Sequence, residues 1–262
     1  MDVLPLTVGR RLYGSDPAAY ANARPDYPPS LYETLASRCG LRPALSILEV
    51  GAGTGVATKR LLSVGVSRLH AIEPDPNFAA YLRLNLRTTT LEVDESPFEE
   101  TVLQHDTFDL GVAATSFHWL EQSSALSKVY RVLKPGGWWA MWWMIYQSND
   151  PFSNATDHLF VGIPQTPAVT MNPFDRDHRV QDMLTAGLRN TDVEEWQGSR
   201  QYDTAGVIEL YDTFAPVRAL QPEDRKRFLD ELASITERQF GGQVEIPLSM
   251  ILYIGQRPVG AG

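Results

Sequence analysis

Residues 45–56 read Leu45-Ser46-Ile47-Leu48-Glu49-Val50-Gly51-Ala52-Gly53-Thr54-Gly55-Val56, and this stretch decides the fold. Leu45 to Val50 is a short, mostly apolar run that predicts a strand. Three glycines at alternate positions follow, and Val56 to Leu62 takes helical character, stopping near Gly65. Glycine reaches backbone angles that other residues avoid and carries no side chain. A strand that enters a helix through such a turn offers bare main chain to a ligand.

The same alternation continues outward. Upstream, Leu31, Leu35 and Cys39 recur between Pro29 and Gly40, predicting a helix over 30–39. Downstream, strands are expected at 68–72, 89–93, 108–114 and 138–144. Between them come a helix over 77–86 and another marked by Leu126, Val129, Tyr130 and Leu133. Strands alternating with helices predict an α/β fold, a parallel sheet covered on both faces and doubly wound by right-handed crossovers. Such sheets bind ligands outside the carboxyl ends of their strands.

After Gln147 the rhythm changes. Residues 148–173 are rich in Asn, Pro, Thr and Ser and read as a long loop or small cap. A helix over 174–188, a strand over 193–196, an amphipathic helix over 222–240 and a strand over 246–254 follow. The expected division is an N-terminal arm over 1–29, a core over 30–147, a cap over 148–190 and a C-terminal part over 191–262.

Composition narrows the function. The 262 residues are 43% hydrophobic, enough for a large core, and carry a formal net charge of -9. An acidic chain without a basic run of five does not suit a phosphate backbone, so nucleic acid is not an expected partner. One cysteine, Cys39, excludes an intrachain disulfide and fits a reducing cytosol. Residues 1–14 lack a signal peptide's apolar run. Trp138 to Tyr146 is shorter than the roughly 20 apolar residues of a membrane span. A cytoplasmic chain away from the membrane, monomer or homodimer, is expected. No His, Cys and carboxylate cluster has metal-ligand spacing.

The second element of a site is Glu73, at the end of the second strand in His70-Ala71-Ile72-Glu73-Pro74-Asp75. A carboxylate there can accept hydrogen bonds from both hydroxyls of a ribose. The dinucleotide fingerprint GxGxxG is absent, because Val56 or Thr58 stands where its third glycine belongs. The spacing is GxGxG, with Glu49 two positions before the first glycine. A carboxylate beside the turn repels a pyrophosphate and favours a cation.

On these residues the chain resembles the class I S-adenosylmethionine-dependent methyltransferases, over roughly Tyr20 to Tyr146. Four motifs carry the resemblance: residues 49–55, the acid Glu73, Phe108-Asp109-Leu110-Gly111-Val112, and Arg131-Val132-Leu133-Lys134-Pro135-Gly136-Gly137. The segment from Tyr20 to Pro28 and the run Ser116-Phe117-His118-Trp119 are similar to the small-molecule subgroup that includes trans-aconitate methyltransferases. The resemblance implies a seven-stranded Rossmann-like sheet with the final strand antiparallel. It implies S-adenosylmethionine as cofactor, S-adenosylhomocysteine as product, no metal, and in-line methyl transfer to a small-molecule acceptor. Gly51, Ala52, Gly53 and Gly55 would pass under the methionine part, and Glu49 would hold its ammonium. Glu73, with Pro74 beside it, would bind the ribose. Asp94 or Glu95 would meet the adenine, and Thr115 would lie where the methyl emerges.

Other residues admit two readings. Tyr20, Arg24 and Tyr27 form either a lid, with Arg24 on the cofactor carboxylate and a tyrosine over the sulfonium, or a Pro-rich arm packed on the sheet. His118 is either a general base or a hydrogen-bonded structural histidine. Tyr27, Trp119 and Trp143 are candidates to line the acceptor pocket, most of the other indoles being core. Arg176, His178 and Arg179 either meet an acidic substrate or form a solvated helix face. Two rival functions stand beside methyl transfer: a nicotinamide-dependent oxidoreductase, and a non-catalytic sensor or scaffold that binds the nucleoside.

Overall fold

The computed structural model describes residues 13–163 and 172–260. Part of the expected N-terminal arm and residues 164–171 of the expected cap lie outside the described residues. The chain divides into two compact units. The larger holds 26–143, 172–195 and 251–260; the smaller holds 13–25, 144–163 and 196–250. The segment expected as a cap is shared, with 148–163 in the smaller unit and 172–190 in the larger.

The larger unit is built on parallel strands: β1 Ser46–Val50, β2 Arg68–Ile72, β3 Leu91–Asp94, β4 Phe108–Ala114 and the start of β5, Leu133–Tyr146. With β6 Arg189–Asp203 and β7 Gln243–Gln256 the sheet has seven strands in the order β3-β2-β1-β4-β5-β7-β6. The chain reverses its winding between β1 and β4, the switch point at which such sheets bind ligands. Ile47, Leu48, Leu69, Ala71, Leu110 and Val112 are buried, as strands covered on both faces require.

The last strand is antiparallel, as expected. Gly136 N donates to Arg257 O at 2.9 Å and Gln147 N to Pro247 O at 2.9 Å, so numbers fall along β7 as they rise along β5. Side-chain bonds from Asn190 to Gln256 (2.8 Å) and from Ser249 to Gln197 (2.5 Å) give β6 the same relation to β7.

Local chemistry fixes the helix ends. Gly40 (φ +67) closes helix Pro29–Cys39. The Asp75 carboxylate accepts from Asn77 N and Phe78 N at the start of helix Pro76–Asn85, which satisfies its first donors. Helix Gln122–Val132 begins likewise at Glu121. Lys134–Gly137 was expected to end a helix before a strand at Trp138. Instead β5 begins at Leu133, which pairs with Phe108, and the register then jumps so that Trp138 pairs with Leu110. The glycine-rich motif is a bulge inside a strand.

The smaller unit surrounds an apolar cluster of Phe152, Val207, Leu210, Val217, Phe228, Leu232, Ile235, Val244 and Ile246. Its helices are Pro17–Ala23, Pro151–Thr156, Thr204–Asp212, Ala215–Arg218 and Pro222–Phe240. Among the described residues no helix is long and apolar enough to cross a membrane.

Candidate cofactor and acceptor site

Parallel register aligns the strand ends. Val50 faces Ile72, and Ile72 faces Asp94, so the residues that follow emerge side by side. Gly51 N and Ala52 N both donate to Ile72 O, at 2.8 and 3.1 Å, which bends the chain over the end of β2. Gly51, Gly53 and Gly55 have φ of +73, +57 and +88. A Cβ at Gly51 would stand 2.5 Å from Ser116 Cβ, and one at Gly55 2.4 Å from Leu82 Cδ1. Around Gly53 a Cβ would meet nothing within 4 Å. The outer glycines are therefore required by packing and backbone angle, while the middle one exposes open main chain.

Two acids flank this surface. Glu73 is 5% exposed; its Oε2 accepts from Gly53 N at 2.6 Å and its Oε1 from Asp75 N at 2.9 Å. It ties the glycine turn to the end of β2, and each carboxylate oxygen has a further lone-pair site. Glu49 is fully buried. Its Oε2 accepts from Thr58 Oγ1 at 2.7 Å, while Oε1 has no hydrogen-bond partner. Burial pushes its pKa up to about 8, against the pull of the Thr58 bond and with help from the charge of Glu73.

Two residues unforeseen in the sequence join them. The Thr54 hydroxyl, in the turn itself, is buried without a partner. So is the hydroxyl of Tyr32, on helix Pro29–Cys39, whose pKa is raised by burial and by the charges of Asp26 and Glu49. Arg60 lies 5.4 Å over its ring. Nothing in the local pattern marks Tyr32; only the packing of its helix brings it near Glu49. Buried polar atoms without partners are rare. Here an acceptor, Glu49 Oε1, and two hydroxyls that can donate or accept gather around one bare turn.

At the end of β3, Asp94 Oδ1 accepts from Ser96 Oγ at 2.8 Å. Glu95 is exposed and ion-paired with Arg83 at 2.8 Å.

Beyond β4 the chain is strained. Thr115 has φ +54, an outlier for a β-branched residue. Its N donates to Trp142 O at 2.8 Å, and its Oγ1 lies 3.1 Å from the Tyr27 hydroxyl. The Tyr27 ring meets Trp142 edge to face at 5.5 Å. Ser116 Oγ donates to Val50 O at 2.5 Å, closing the switch point. His118, in the short 3-10 turn Phe117–Trp119, accepts from Trp143 Nε1 at its Nδ1 at 2.9 Å. Its ring lies 5.2 Å from that of Trp119. Trp143 is 1% exposed and packs edge-on to Tyr253.

The remaining candidates fall elsewhere. Tyr20 and Arg24 belong to the smaller unit, where the Arg24 guanidinium stacks 5.1 Å from the Tyr20 ring and 5.0 Å from that of Phe214. Arg176 pairs with Glu195 at 2.6 Å. Arg179 is buried, reaching Gln122 at 2.9 Å and Asp182 at 3.5 Å. His178 is exposed and 3.7 Å from Asp182. Asp109, from the third motif, accepts from Ser46 N and from Lys134 Nζ, both at 2.8 Å, at the amino end of the sheet away from these residues. Among the described residues no group of three His, Cys or carboxylates could hold a metal.

Residues 48–141 match the family model of a methyltransferase domain. Over that stretch the chain is similar to the methyltransferase-domain family. An uncharacterized methyltransferase of Schizosaccharomyces pombe is 25% identical over 253 residues, 94% of this chain and 97% of that one. One from Mycobacterium tuberculosis is 34% identical over 131 residues, which span 50% of this chain and 51% of its relative. Among solved structures, a phosphoethanolamine N-methyltransferase of Haemonchus contortus in complex with S-adenosylmethionine superposes with a TM-score of 0.61. It is 13% identical, and the match covers 98% of this chain and 60% of that one, a likeness of fold.

Proposed function

We propose that the chain binds S-adenosylmethionine and transfers its methyl group to a small-molecule acceptor. The observation that carries the reading is the pairing of open main chain at Gly53 with the unpartnered, buried Oε1 of Glu49. A buried carboxylate oxygen without a donor is costly. A ligand ammonium at the turn gives that oxygen a donor, whereas a pyrophosphate brings only further acceptors, which counts against the nicotinamide reading. The Thr54 and Tyr32 hydroxyls suit the carboxylate of the same amino-acid moiety.

The cofactor supplies an electrophilic methyl group on a sulfonium that is already a good leaving group. The protein's task is then to bind, align and exclude water. Glu73, fixed from below by two backbone donors, presents its remaining lone pairs to the ribose hydroxyls. Asp94 is the better adenine partner, because Glu95 is engaged with Arg83 on the exposed side. Thr115 marks the methyl position at the end of β4. His118 orients neighbours, since the Trp143 bond requires an unprotonated Nδ1 and so places the proton of the neutral ring on Nε2.

Calorimetric titration with S-adenosylmethionine, S-adenosylhomocysteine and NADH tests the reading. The two adenosyl ligands should bind and NADH should not. Glu73→Ala should weaken adenosyl binding by about 1–3 kcal/mol, the value of a charged hydrogen bond. Unchanged affinity would remove Glu73 from the site. Acceptor screening by S-adenosylhomocysteine release separates enzyme from sensor, because a sensor binds without turnover for any acceptor.

A further inference from the structure

We infer that His70 is a positioning residue for cofactor recognition: from the neighbouring strand β2 it orients the Asp94 carboxylate to accept from the adenine amino group. The inference rests on the reading of Asp94 as the adenine partner and names what aims it.

Register places the two side by side. His70 and Ile72 share a face of β2, and Ile72 pairs with Asp94 on β3, so His70 and Asp94 are diagonal neighbours on one face of the sheet. His70 is 5% exposed. Its Nε2 is buried without a hydrogen-bond partner and lies 3.7 Å from Asp94 Oδ2, a little beyond hydrogen-bond length. The other carboxylate oxygen, Oδ1, accepts from Ser96 Oγ at 2.8 Å. The backbone keeps the same register, since Glu73 N donates to Asp94 O at 3.0 Å and sets the proposed ribose acid beside the proposed adenine acid.

The far nitrogen of the imidazole decides where its proton sits. Arg68 Nη2 lies 3.3 Å from Nδ1, and a guanidinium only donates. Nδ1 is therefore the acceptor, and the neutral ring carries its proton on Nε2, the nitrogen towards Asp94. Arg68 is itself held by Glu92 Oε2 at 2.6 Å. Burial, with the charge of Arg68, holds the His70 pKa below its ordinary value against the pull of Glu92 and Asp94, so the ring is neutral at neutral pH.

A buried N–H without an acceptor is costly, and Asp94 Oδ2 is the acceptor that a small turn of the aspartate side chain supplies. A carboxylate has about four lone-pair sites. Donors from His70 and Ser96 take one on each oxygen and fix the plane of the group, and the sites that remain accept a ligand N–H. Packing alone asks for none of this: Leu48, the register partner of His70 on β1, is apolar and fully buried. An apolar residue in place of His70 would fill the same face and leave the Asp94 carboxylate held by Ser96 alone.

Calorimetry with two ligands tests the assignment: S-adenosylhomocysteine and its 6-desamino analogue, in which hydrogen replaces the adenine amino group. The parent should prefer the first by about tenfold or more, the worth of a charged hydrogen bond. His70→Phe keeps an aromatic ring and loses the N–H. It should cut the preference to under about threefold, weakening the first ligand and sparing the second. A histidine that serves packing alone would weaken both ligands alike or neither, so an unchanged preference in His70→Phe overturns the inference. A second readout needs no variant. The 15N chemical shifts of the assigned imidazole in the parent should place the His70 proton on Nε2, and a proton on Nδ1 overturns the inference as well. A parent that binds both ligands equally well refutes the role of His70 while the cofactor reading stands. A parent that binds neither refutes the cofactor reading, and the role of His70 falls with it.

Discussion

The indole N–H of Trp143 donates to Nδ1 of His118 across 2.9 Å. This bond holds one tautomer of the imidazole and occupies the nitrogen that would otherwise be a base. His118→Asn keeps an acceptor in a similar place but abolishes proton-transfer capacity. A positioning role predicts a loss in kcat of under about tenfold, whereas loss of a general base costs roughly 10²–10⁴-fold. The pH–rate profile discriminates further: it should keep its shape in the variant.

Glu49 should make cofactor affinity depend on pH. Its pKa, raised by burial from 4.5 to about 8, leaves it protonated in the ligand-free site at neutral pH. A bound ammonium favours the carboxylate, so binding below about 8 expels a proton, and affinity should climb as pH rises towards that value. Glu49→Gln, permanently neutral, removes this dependence, and subtracting its curve removes the ligand's own titration. Calorimetry in two buffers of different ionisation enthalpy should detect the released proton in the parent alone. Stability of the ligand-free protein should move the other way. An acid with a raised folded pKa contributes most below its unfolded value and loses that contribution as pH rises through about 8.

The readable part of the fold was its buried half. Strands β1, β2 and β4 are covered on both faces, so apolar runs mark them, and Gly51-Ala52-Gly53-Thr54-Gly55 announces the turn through backbone angle alone. β6 was recognised only over Val193–Trp196, although it runs from Arg189 to Asp203, because most of its side chains are half-buried or exposed and show no apolar alternation. Helix Thr204–Asp212 was missed, with Gly206 near its start weakening the signal. At the site, the strand-end acids were legible from position. The proximity of Tyr32 to Glu49 and the Trp143–His118 bond depend on residues far apart in sequence. No local pattern encodes them.

Asp109 and Lys134 came from two motifs of the family resemblance, and the structure joins them at 2.8 Å with Ser46 N on the other carboxylate oxygen. They clamp the amino ends of β1, β4 and β5. Asp109→Ala should lower stability by roughly 1–2 kcal/mol through the lost hydrogen bonds. Its affinity for S-adenosylhomocysteine should match the parent's. Chemical denaturation beside calorimetry checks both, and a cofactor-specific loss without destabilisation would contradict the structural role.

Thr115 supplies the sharpest contrast between stability and activity. A β-branched residue at φ +54 stores strain of about 1–3 kcal/mol, and such strain persists only where surroundings enforce it. Thr115→Asn places a residue tolerant of this region at the same point and should raise stability by about 1 kcal/mol. Thr115→Val keeps the branch and strain but loses the hydroxyl facing Tyr27, and should lower stability by about 1 kcal/mol. Both should impair turnover, because both displace the hydroxyl at the proposed methyl position. Opposite shifts in Tm with a common fall in kcat would mark strain kept for function. A Val variant as active as the parent would show that the hydroxyl takes no part in the reaction.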